Sequence, residues 1–533
     1  MCGIFIYLGI KSITDEKLKQ LEVSSSKIKY RGPDEYITPL LVTDTLAFSF
    51  HRLRINGLDE ASSQPIFLHN CILICNGEIY NSKALNEKYD LNCTSGSDCE
   101  CIPALYRKFG FKHAVQMLEG VFSMALYDLN NKTLYIARDP VGIRPLFLIK
   151  TPDSYIFASE AKCLIDYGNE IGQFPPGTYA TVFIYTDYIC YTPMSYIDLF
   201  NDVRVDHSYE TSVLNIKSKL IHATTCRSLL SDRNVGAFLS GGIDSSIIAA
   251  IAKCSIPNLR TFSIGLEDSK DLHFARIAAK AIGTNHTEVK YTIEQGLDCI
   301  PEIIKILETS DITTIRASIP MYLLSKYIKE NTDVVVLLSG EGSDEIFSGY
   351  LYNYSAPSSY DMNTDAIIRI EQLPWYDVLR ADRTTASNSL EIRVPFLCKH
   401  IIKYVFSLDP NYLNPNCQGI EKKILRDAFR EFIPNDEWKQ IIDRPKEAFS
   451  DGVGYSWKHS LGLHADALIT DEELENNKYI YPRPLQKEAL LYRKYFESYY
   501  PNTYLVPEYW MPSWTQSSDP SATALKIHTE LIM

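Results

Sequence analysis

Through the first part of the chain, up to about residue 200, short apolar and β-branched runs alternate with turn-forming residues. Residues 3–8, 45–50, 71–76, 122–128, 133–138 and 155–159 each read as a strand. A helical pattern interrupts them at 98–109, and Phe174-Pro175-Pro176-Gly177 opens a final strand pair. Strands in series with covering helices predict packed sheets and not a parallel α/β domain. Residues 193–205 read as a linker. From about Ser208 the rhythm becomes a strand followed by a long helix: 235–239 into 244–253, then 261–265 into 271–282, with 334–338 as the next strand. That alternation predicts a parallel, doubly wound sheet whose ligands sit beyond the C-terminal ends of its strands. No tandem repeat or low-complexity tract interrupts either half.

At 533 residues the chain is too long for one ordinary core, so two or three domains are expected. Its 45% hydrophobic and 22% charged residues exclude a disordered chain. The formal charge of −13 weighs against nucleic acid as a partner, because a protein that tracks a phosphate backbone needs a basic face. A local pocket can still oppose that global sign for an anionic substrate. No apolar run approaches the ~20 residues of a membrane span. The N-terminus lacks the basic and long apolar segments of a signal peptide. Thirteen cysteines show neither a disulfide framework nor the paired spacing of a zinc site. Free thiols in a reducing compartment follow. The expectation is a cytoplasmic protein without a membrane partner.

Cys2 follows Met1, and a small second residue makes Met1 a substrate for removal. A free α-amine on Cys2, with an unperturbed pKa of about 8, would then serve its own thiol as base. A lone second-position cysteine is weak evidence; its company is stronger. Cys2-Gly3-Ile4-Phe5 is followed by Arg31-Gly32-Pro33-Asp34, His51-Arg52-Leu53-Arg54-Ile55, Cys75-Asn76-Gly77-Glu78-Ile79-Tyr80-Asn81 and Ser97-Asp98-Cys99-Glu100. Arg138-Asp139-Pro140, Gly142-Ile143-Arg144-Pro145-Leu146 and Ser159-Glu160-Ala161-Lys162 extend the series. It resembles the glutaminase domain of class II amidotransferases, which are N-terminal-nucleophile hydrolases with an αββα sandwich. The residue types suit glutamine: Arg52 can fork onto the α-carboxylate, and Glu78 and Asp98 suit the α-ammonium. A turn at Asn76-Gly77 would offer a side-chain amide and a backbone N–H to the tetrahedral oxyanion, although this dipeptide is otherwise a hairpin signal. The resemblance adds Leu53, Arg54, Ile55 and Asn56 to the glutamine-binding set. His51 abuts Arg52 where the family often has an intervening residue, which leaves His51 open as a contact.

Leu239-Ser240-Gly241-Gly242-Ile243-Asp244-Ser245-Ser246 joins an expected strand to an expected helix. Two glycines and three hydroxyls at a helix N-terminus cradle phosphate, without the Lys-Ser/Thr ending of a Walker loop. The motif looks like the pyrophosphate loop of the ATP pyrophosphatases, which cleave ATP between its α and β phosphates. Asp244 and Asp344, the latter in Ser339-Gly340-Glu341-Gly342-Ser343-Asp344-Glu345, could share Mg²⁺ with the phosphates. The resemblance implies the remaining roles. Ser339 and Gly340 lie near the nucleotide, Phe238 and Ile264 line the adenosine pocket, and Glu341 orients or deprotonates ammonia. Thr313 and Arg316 bear on the acyl-adenylate. Lys446, within Arg444 to Gly454, neutralises charge on the α-phosphate. Asp382-Arg383 and Ser389 to Leu397 read as structural, with Cys398 where the family usually has aspartate.

The order of motifs is similar to that of the glutamine-hydrolysing asparagine synthetases. Glutaminase residues 2–190 and synthetase residues 206–533 are expected, with ATP, Mg²⁺, aspartate and glutamine as partners and a homodimer among the states allowed. The resemblance implies β-aspartyl-AMP as intermediate and an internal path for ammonia. A synthetase acting on another carboxylate, including the β-lactam synthetase branch that lacks a working N-terminal cysteine, is the nearest rival. A pseudoenzyme is the rival of another class, disfavoured by intact Cys2, Asp98, Asp244, Asp344 and Lys446. The aromatic, proline-rich stretch after Gly454 is expected to pack on the synthetase core.

Overall fold

The structure, a computed structural model, describes all residues except 186–187, 201–203, 268, 447–454, 504, 506, 513 and 516–533. Twelve strands form the N-terminal half: β1 (Gly3–Gly9), β2 (Glu35–Thr43), β3 (Leu46–Arg52), β4 (Ile66–Leu68), β5 (Cys71–Ile79), β6 (Gly120–Asp128), β7 (Thr133–Arg138), β8 (Phe147–Lys150), β9 (Ser154–Ala158), β10 (Gly172–Gln173), β11 (Thr178–Ile184) and β12 (Ile189–Ser195). They make two six-stranded antiparallel sheets, ordered β10-β8-β9-β1-β3-β2 and β12-β11-β7-β6-β5-β4. Alternation drives the layering. Ile4, Ile6, Leu8, Phe48 and Phe50 of one sheet meet Ile72, Ile74, Ala125 and Ile136 of the other between the layers. The opposite faces take helices. Helices Cys101–Phe109 and Phe111–Met117 cover one sheet through Leu105 and Phe111. Helix Asp15–Ser26 covers the other through Leu21. This is the αββα sandwich.

The second half holds five strands, β13 (Asn234–Phe238), β14 (Arg260–Gly265), β15 (Asn285–Lys290), β16 (Val334–Leu338) and β17 (Glu391–Arg393), all parallel in the order β15-β14-β13-β16-β17. The chain runs outward from β13 to β15 and then returns to the other side of β13, which puts the switch point between β13 and β16. Helices Ile243–Ser255 and Lys270–Ile282 pack with Tyr209–Leu229 and Asp436–Asp443 in one group; Ile312–Asn331 and Asp377–Ala386 form another.

Three departures from the sequence reading have physical reasons. β12, the second of the expected final strand pair, runs on through Pro193, and β2, which the sequence reading did not name, carries Pro39; both lie at sheet edges, where a missing N–H costs no ladder bond. The linker therefore starts after Ser195, and residues 201–203 of it lie outside the described residues. The first element of the second half is a helix, Tyr209–Leu229, not a strand. Asn76-Gly77 is no turn: it lies inside β5, with Gly77 opposite Phe122.

Candidate active sites

β1 starts at Gly3, in register with His51, so Cys2 sits beside the chain that leaves β3. Its thiol donates to the Leu53 carbonyl at 3.8 Å, and its carbonyl accepts from Arg31 Nε at 2.8 Å. Burial pushes the thiol up to about 11, with the terminal ammonium nearby opposing that shift. Met1 is buried, its amine 3.4 Å from the Leu390 carbonyl, and burial brings this amine down to about 5. While Met1 is attached, the Cys2 nitrogen is an amide with no basicity to lend its thiol.

Cys2 packs against a cluster that holds Ile72 and Ile74 of β5, and Glu78 of that strand acts on its thiol. β4 covers β5 only as far as Leu73. Beyond it the Gln64 side chain takes over, accepting from Cys75 N at 2.6 Å and donating to Cys75 O at 3.1 Å. Ile79 N, four residues on, donates to Asp98 Oδ2 at 2.5 Å. Backbone groups alternate sides along an antiparallel strand. The Gly77 N–H therefore points to the same edge, between those two occupied positions. A side chain at Gly77 would place Cβ 2.3 Å from the Val121 carbonyl, so glycine lets β6 close on the opposite side. Both polar atoms of the Asn76 side chain are buried without a hydrogen-bond partner. A buried amide in that state costs ~1–3 kcal/mol until a ligand engages it.

Asn56 Nδ2 donates to Glu78 Oε2 and lies 3.5 Å from Asp98 Oδ1. Burial, reinforced by Glu391 and Asp98, holds Glu78 well above the carboxylate range. Burial also raises Asp98 to about 6, against the Ile79 N–H. Arg393, 3.3 Å from Glu78, only partly offsets the burial of these two carboxylates, so both stay raised. Arg52 is buried and engaged: Nη1 donates to Glu35 Oε2 at 3.2 Å and Ser63 Oγ at 3.1 Å, Nη2 to the Gly57 carbonyl at 2.5 Å. It thus pins the loop after β3 above the site. Arg54 N donates to Asp34 at 2.8 Å, while Leu53 and Ile55 pack on Val335 and Val336 of the parallel sheet. His51 turns away, its Nε2 at 2.9 Å from the Ser25 carbonyl.

At the switch point the loops after β13 and β16 flank a cavity of about 310 Å³. Phe238, Ser240, Gly242, Asp244, Ser245, Ile264, Thr313, Ser339, Gly340, Glu341, Asp344 and Lys446 all line it. Gly241 has φ +74°, and a Cβ there would lie 2.3 Å from the Phe274 backbone, so the loop turns tightly against helix Lys270–Ile282. Ser245 Oγ accepts from Ser240 N at 3.2 Å, and Ser246 Oγ is buried without a partner. The two aspartates are brought together by a residue the sequence reading missed. Lys422 Nζ lies 2.7 Å from Asp244 Oδ2 and 2.7 Å from Asp344 Oδ1. Lys446 Nζ lies 2.5 Å from Asp344 Oδ2. Burial alone would raise Asp344; Lys422 and Lys446 instead hold it well below the carboxylate range. Lys446 is raised in turn: burial would lower it, and Asp344 and Asp244 outweigh that. Lys422 escapes a sequence reading because Glu421-Lys422-Lys423 looks like an exposed helix start. The signal lies instead at Gly349, where a Cβ would lie 2.0 Å from Lys422 Cε.

Burial raises Glu341, and Arg380, another residue missed, opposes the shift from 2.8 Å away. Arg316 is not brought to the cavity. Its guanidinium forms a buried bidentate pair with Glu488, Nε at 2.8 Å and Nη2 at 2.7 Å, because Thr313, Ala317, Met321 and Leu324 take the inward face of their helix. Residues 447–454 of the Lys446 loop lie outside the described residues.

The two centres share one seam. Arg31 lies 2.7 Å from Glu160 and 2.8 Å from Asp382; Arg383 lies 2.9 Å from both Glu160 and Glu308. Arg393 of β17 reaches Glu78 at 3.3 Å. The Arg393 carbonyl accepts from Ser339 N at 2.9 Å, so one residue touches both sites. An N-terminal-nucleophile amidotransferase joined to an ATP-pyrophosphatase-type synthetase is the class that this fold and these two centres define.

The glutamine amidotransferase domain model matches residues 1–190, and the asparagine synthase model matches 215–367 and 357–517. A protein of Acanthamoeba polyphaga mimivirus, described as a probable glutamine-hydrolysing asparagine synthetase, is 38% identical over 99% of this chain and all of its own. The glutamine-hydrolysing asparagine synthetase of Gallus gallus is 38% identical over the full length of both chains, and that of Bos taurus 39% over 98% of each. The chain belongs to the family of glutamine-hydrolysing asparagine synthetases.

Proposed function

We propose that residues 2–190 hydrolyse glutamine and residues 206–533 amidate an adenylylated aspartate with the ammonia released. With Met1 removed, the Cys2 amine takes the thiol proton and the thiolate attacks the side-chain carboxamide carbon. Asn76 Nδ2 and the Gly77 N–H receive the oxyanion, Glu78 and Asp98 hold the α-ammonium, and Arg52 fixes the loop that meets the α-carboxylate. Ammonia leaves, and water resolves the thioester to glutamate.

In the second centre a carboxylate oxygen of aspartate attacks the α-phosphorus of ATP, and pyrophosphate departs. Ammonia then attacks the acyl carbon of β-aspartyl-AMP, and AMP leaves with the asparagine formed. Glu341 accepts a proton from the incoming ammonia, its raised pKa suiting it to that role. Lys446 and Lys422 offset charge on the phosphates. Asp244 and Asp344 fit Mg²⁺, since their carboxylates already converge on one cationic centre 2.7 Å from each. Among the described residues no three His, Cys, Asp or Glu side chains group around a metal position. A hard cation held there by two carboxylates would complete its shell with phosphate oxygens and water. When bound, Mg²⁺ would screen the charge of the leaving pyrophosphate.

The observation that carries the reading is the open edge of β5, the strand whose cluster Cys2 packs against, in the same chain as the lysine-clamped Asp244–Asp344 pair. A cytosolic location belongs to it. All thirteen cysteines are unpaired, and no helix among the described residues is long and apolar enough to cross a membrane. Product analysis with aspartate, ATP and amide-¹⁵N glutamine tests the whole. Label in asparagine, with AMP and pyrophosphate in equal amounts, is expected; ADP and phosphate, or unlabelled asparagine, would overturn it.

A further inference from the structure

Six cationic side chains line the synthetase cavity: Arg369, Arg380, Lys422, Arg426, Arg444 and Lys446. Five are bound to carboxylates, Arg380 to Glu341, Lys422 to Asp244, Arg426 to Glu421, Arg444 to Asp271 and Lys446 to Asp344. Arg369 is the exception among the described residues: it closes no ion pair, and its Nε has no hydrogen-bond partner. Aromatic rings hold it instead, while Asp377, Glu345 and Asp365 attract it from beyond ion-pair distance. Its guanidinium lies 5.4 Å from the Tyr350 ring, 5.9 Å from Tyr376 and 4.7 Å from Trp510.

Trp510 belongs to the stretch that had no catalytic reading in the sequence. Two hydrogen bonds moor that stretch to the same wall. Tyr376 Oη donates to the Glu508 carbonyl, and Trp514 Nε1 donates to the Tyr352 carbonyl at 3.1 Å. Tyr350, Tyr352 and Tyr376 are themselves cavity-lining. The wall continues through Tyr350 Oη, which donates to Glu345 at 2.5 Å, and through Asp377, which lies 2.7 Å from Arg380. It is therefore continuous with Glu341, the group beside the acyl carbon, and distinct in chemistry from the apolar end at Phe238 and Ile264.

An amino dicarboxylate acceptor brings one carboxylate to be activated and a second that needs a cation. Arg380 is committed to Glu341, and the two lysines are assigned to the phosphates. We infer that Trp510 is a positioning residue for acceptor recognition, holding Arg369 so that its uncommitted guanidinium edge meets the carboxylate that is not adenylylated. A ring at 4.7 Å fixes the guanidinium plane without neutralising its charge, which a carboxylate in that place would do. The inference rests on the cavity being the site of aspartate adenylylation.

The test uses the full-length enzyme with ammonia as nitrogen donor and follows AMP release, so the glutaminase centre is not read. Trp510→Ala should raise KM for aspartate about tenfold, the scale of losing one partly buried cation–π contact. KM for ATP should stay unchanged and kcat should stay within about twofold, because the phosphate end is not touched. Trp510→Phe, which keeps a ring face, should restore most of the affinity. If the alanine variant does not fold, Trp510→Leu keeps the bulk without the ring and should show the same selective rise. Equal rises in both KM values, a loss confined to kcat, or a phenylalanine variant no better than leucine would overturn the inference. Wild-type enzyme that releases no aspartate-dependent AMP would instead overturn the reading of the cavity beneath it.

Discussion

Burial is the common cause behind the chemistry of single residues here, and it acts with opposite consequences at Cys2 and at Asp98. The Cys2 thiol, pushed up to about 11, is inert unless an amine stands beside it. A chain that retains Met1, made by a non-removable N-terminal tag, should lose glutamine hydrolysis by at least ~10³-fold, as for loss of a nucleophile's base, while ammonia-dependent AMP release persists. A glutaminase assay on tagged and untagged enzyme checks this; full activity in the tagged form would refute the amine-base mechanism. Asp98, raised to about 6 from an unfolded value near 3.9, binds an ammonium only when ionised. Its proton is held more tightly in the folded state. Stability from this group is therefore present below the unfolded value and lost as pH rises through 6 in the empty enzyme. Glutamine reverses that loss. KM for glutamine should climb as pH falls below about 6, and an unreactive glutamine analogue should raise Tm more at pH 7.5 than at pH 5, values chosen either side of that transition. Equal Tm increments at the two pH values would mean that Asp98 is not facing the ammonium.

At the scale of elements, short apolar strands and helices after a glycine loop were legible, and edges and caps were not. Residues 133–138 and 334–338 coincide with β7 and β16 because their side chains are buried as their pattern demands. β2 and the end of β12 were obscured by an edge proline, which composition alone cannot distinguish from a breaker. Asn76-Gly77 misled as a turn because its glycine answers to the Val121 carbonyl across β6, a contact with no local trace. The candidate residues from Cys2 to Lys446 could be named from motifs. Lys422, Arg380 and Arg369 could not, because each acts through a partner far along the chain. Helix Lys399–Ser407 shows a related gap. Cys398 occupies its N-cap with extended backbone and makes no side-chain capping bond. Cys398→Asp should add a side-chain cap to the first turn, stabilising the synthetase half by ~1 kcal/mol. The measurement is the urea midpoint of that half, with activity unchanged; an unmoved or lowered midpoint would show that the buried surroundings of Cys398 reject a charge.

For the whole molecule the question is what makes two centres one enzyme. The seam between them is ionic at its core. Arg31, fully buried, bridges Glu160 of the sandwich and Asp382 of the synthetase, and Arg383 bridges Glu160 and Glu308. A buried pair of this kind adds little net stability, yet breaking it by removing one partner costs ~3–5 kcal/mol, since the remaining carboxylates stay buried without a counter-charge. The seam also carries Arg144, whose Nη1 lies 2.8 Å from Met1 Sδ and whose Nη2 lies 3.0 Å from Glu391. The N-terminus thus meets the other half directly, the Met1 amine lying 3.4 Å from the Leu390 carbonyl. Arg31→Met keeps the length and bulk of the side chain and removes its charge, so the two half-molecules should fold and each centre should retain its own chemistry. Their fit should loosen. Three readouts follow from that single change: thermal unfolding splits into two transitions, ammonia-dependent synthesis stays near wild type, and more glutamate is formed per asparagine as ammonia escapes to solvent. The decisive quantity is the glutamate-to-asparagine ratio at saturating ATP and aspartate. A ratio that stays at the wild-type value while Tm falls would mean that the ionic seam only stabilises the fold, and that passage of ammonia depends on the apolar packing of Leu53 and Ile55 against Val335 and Val336.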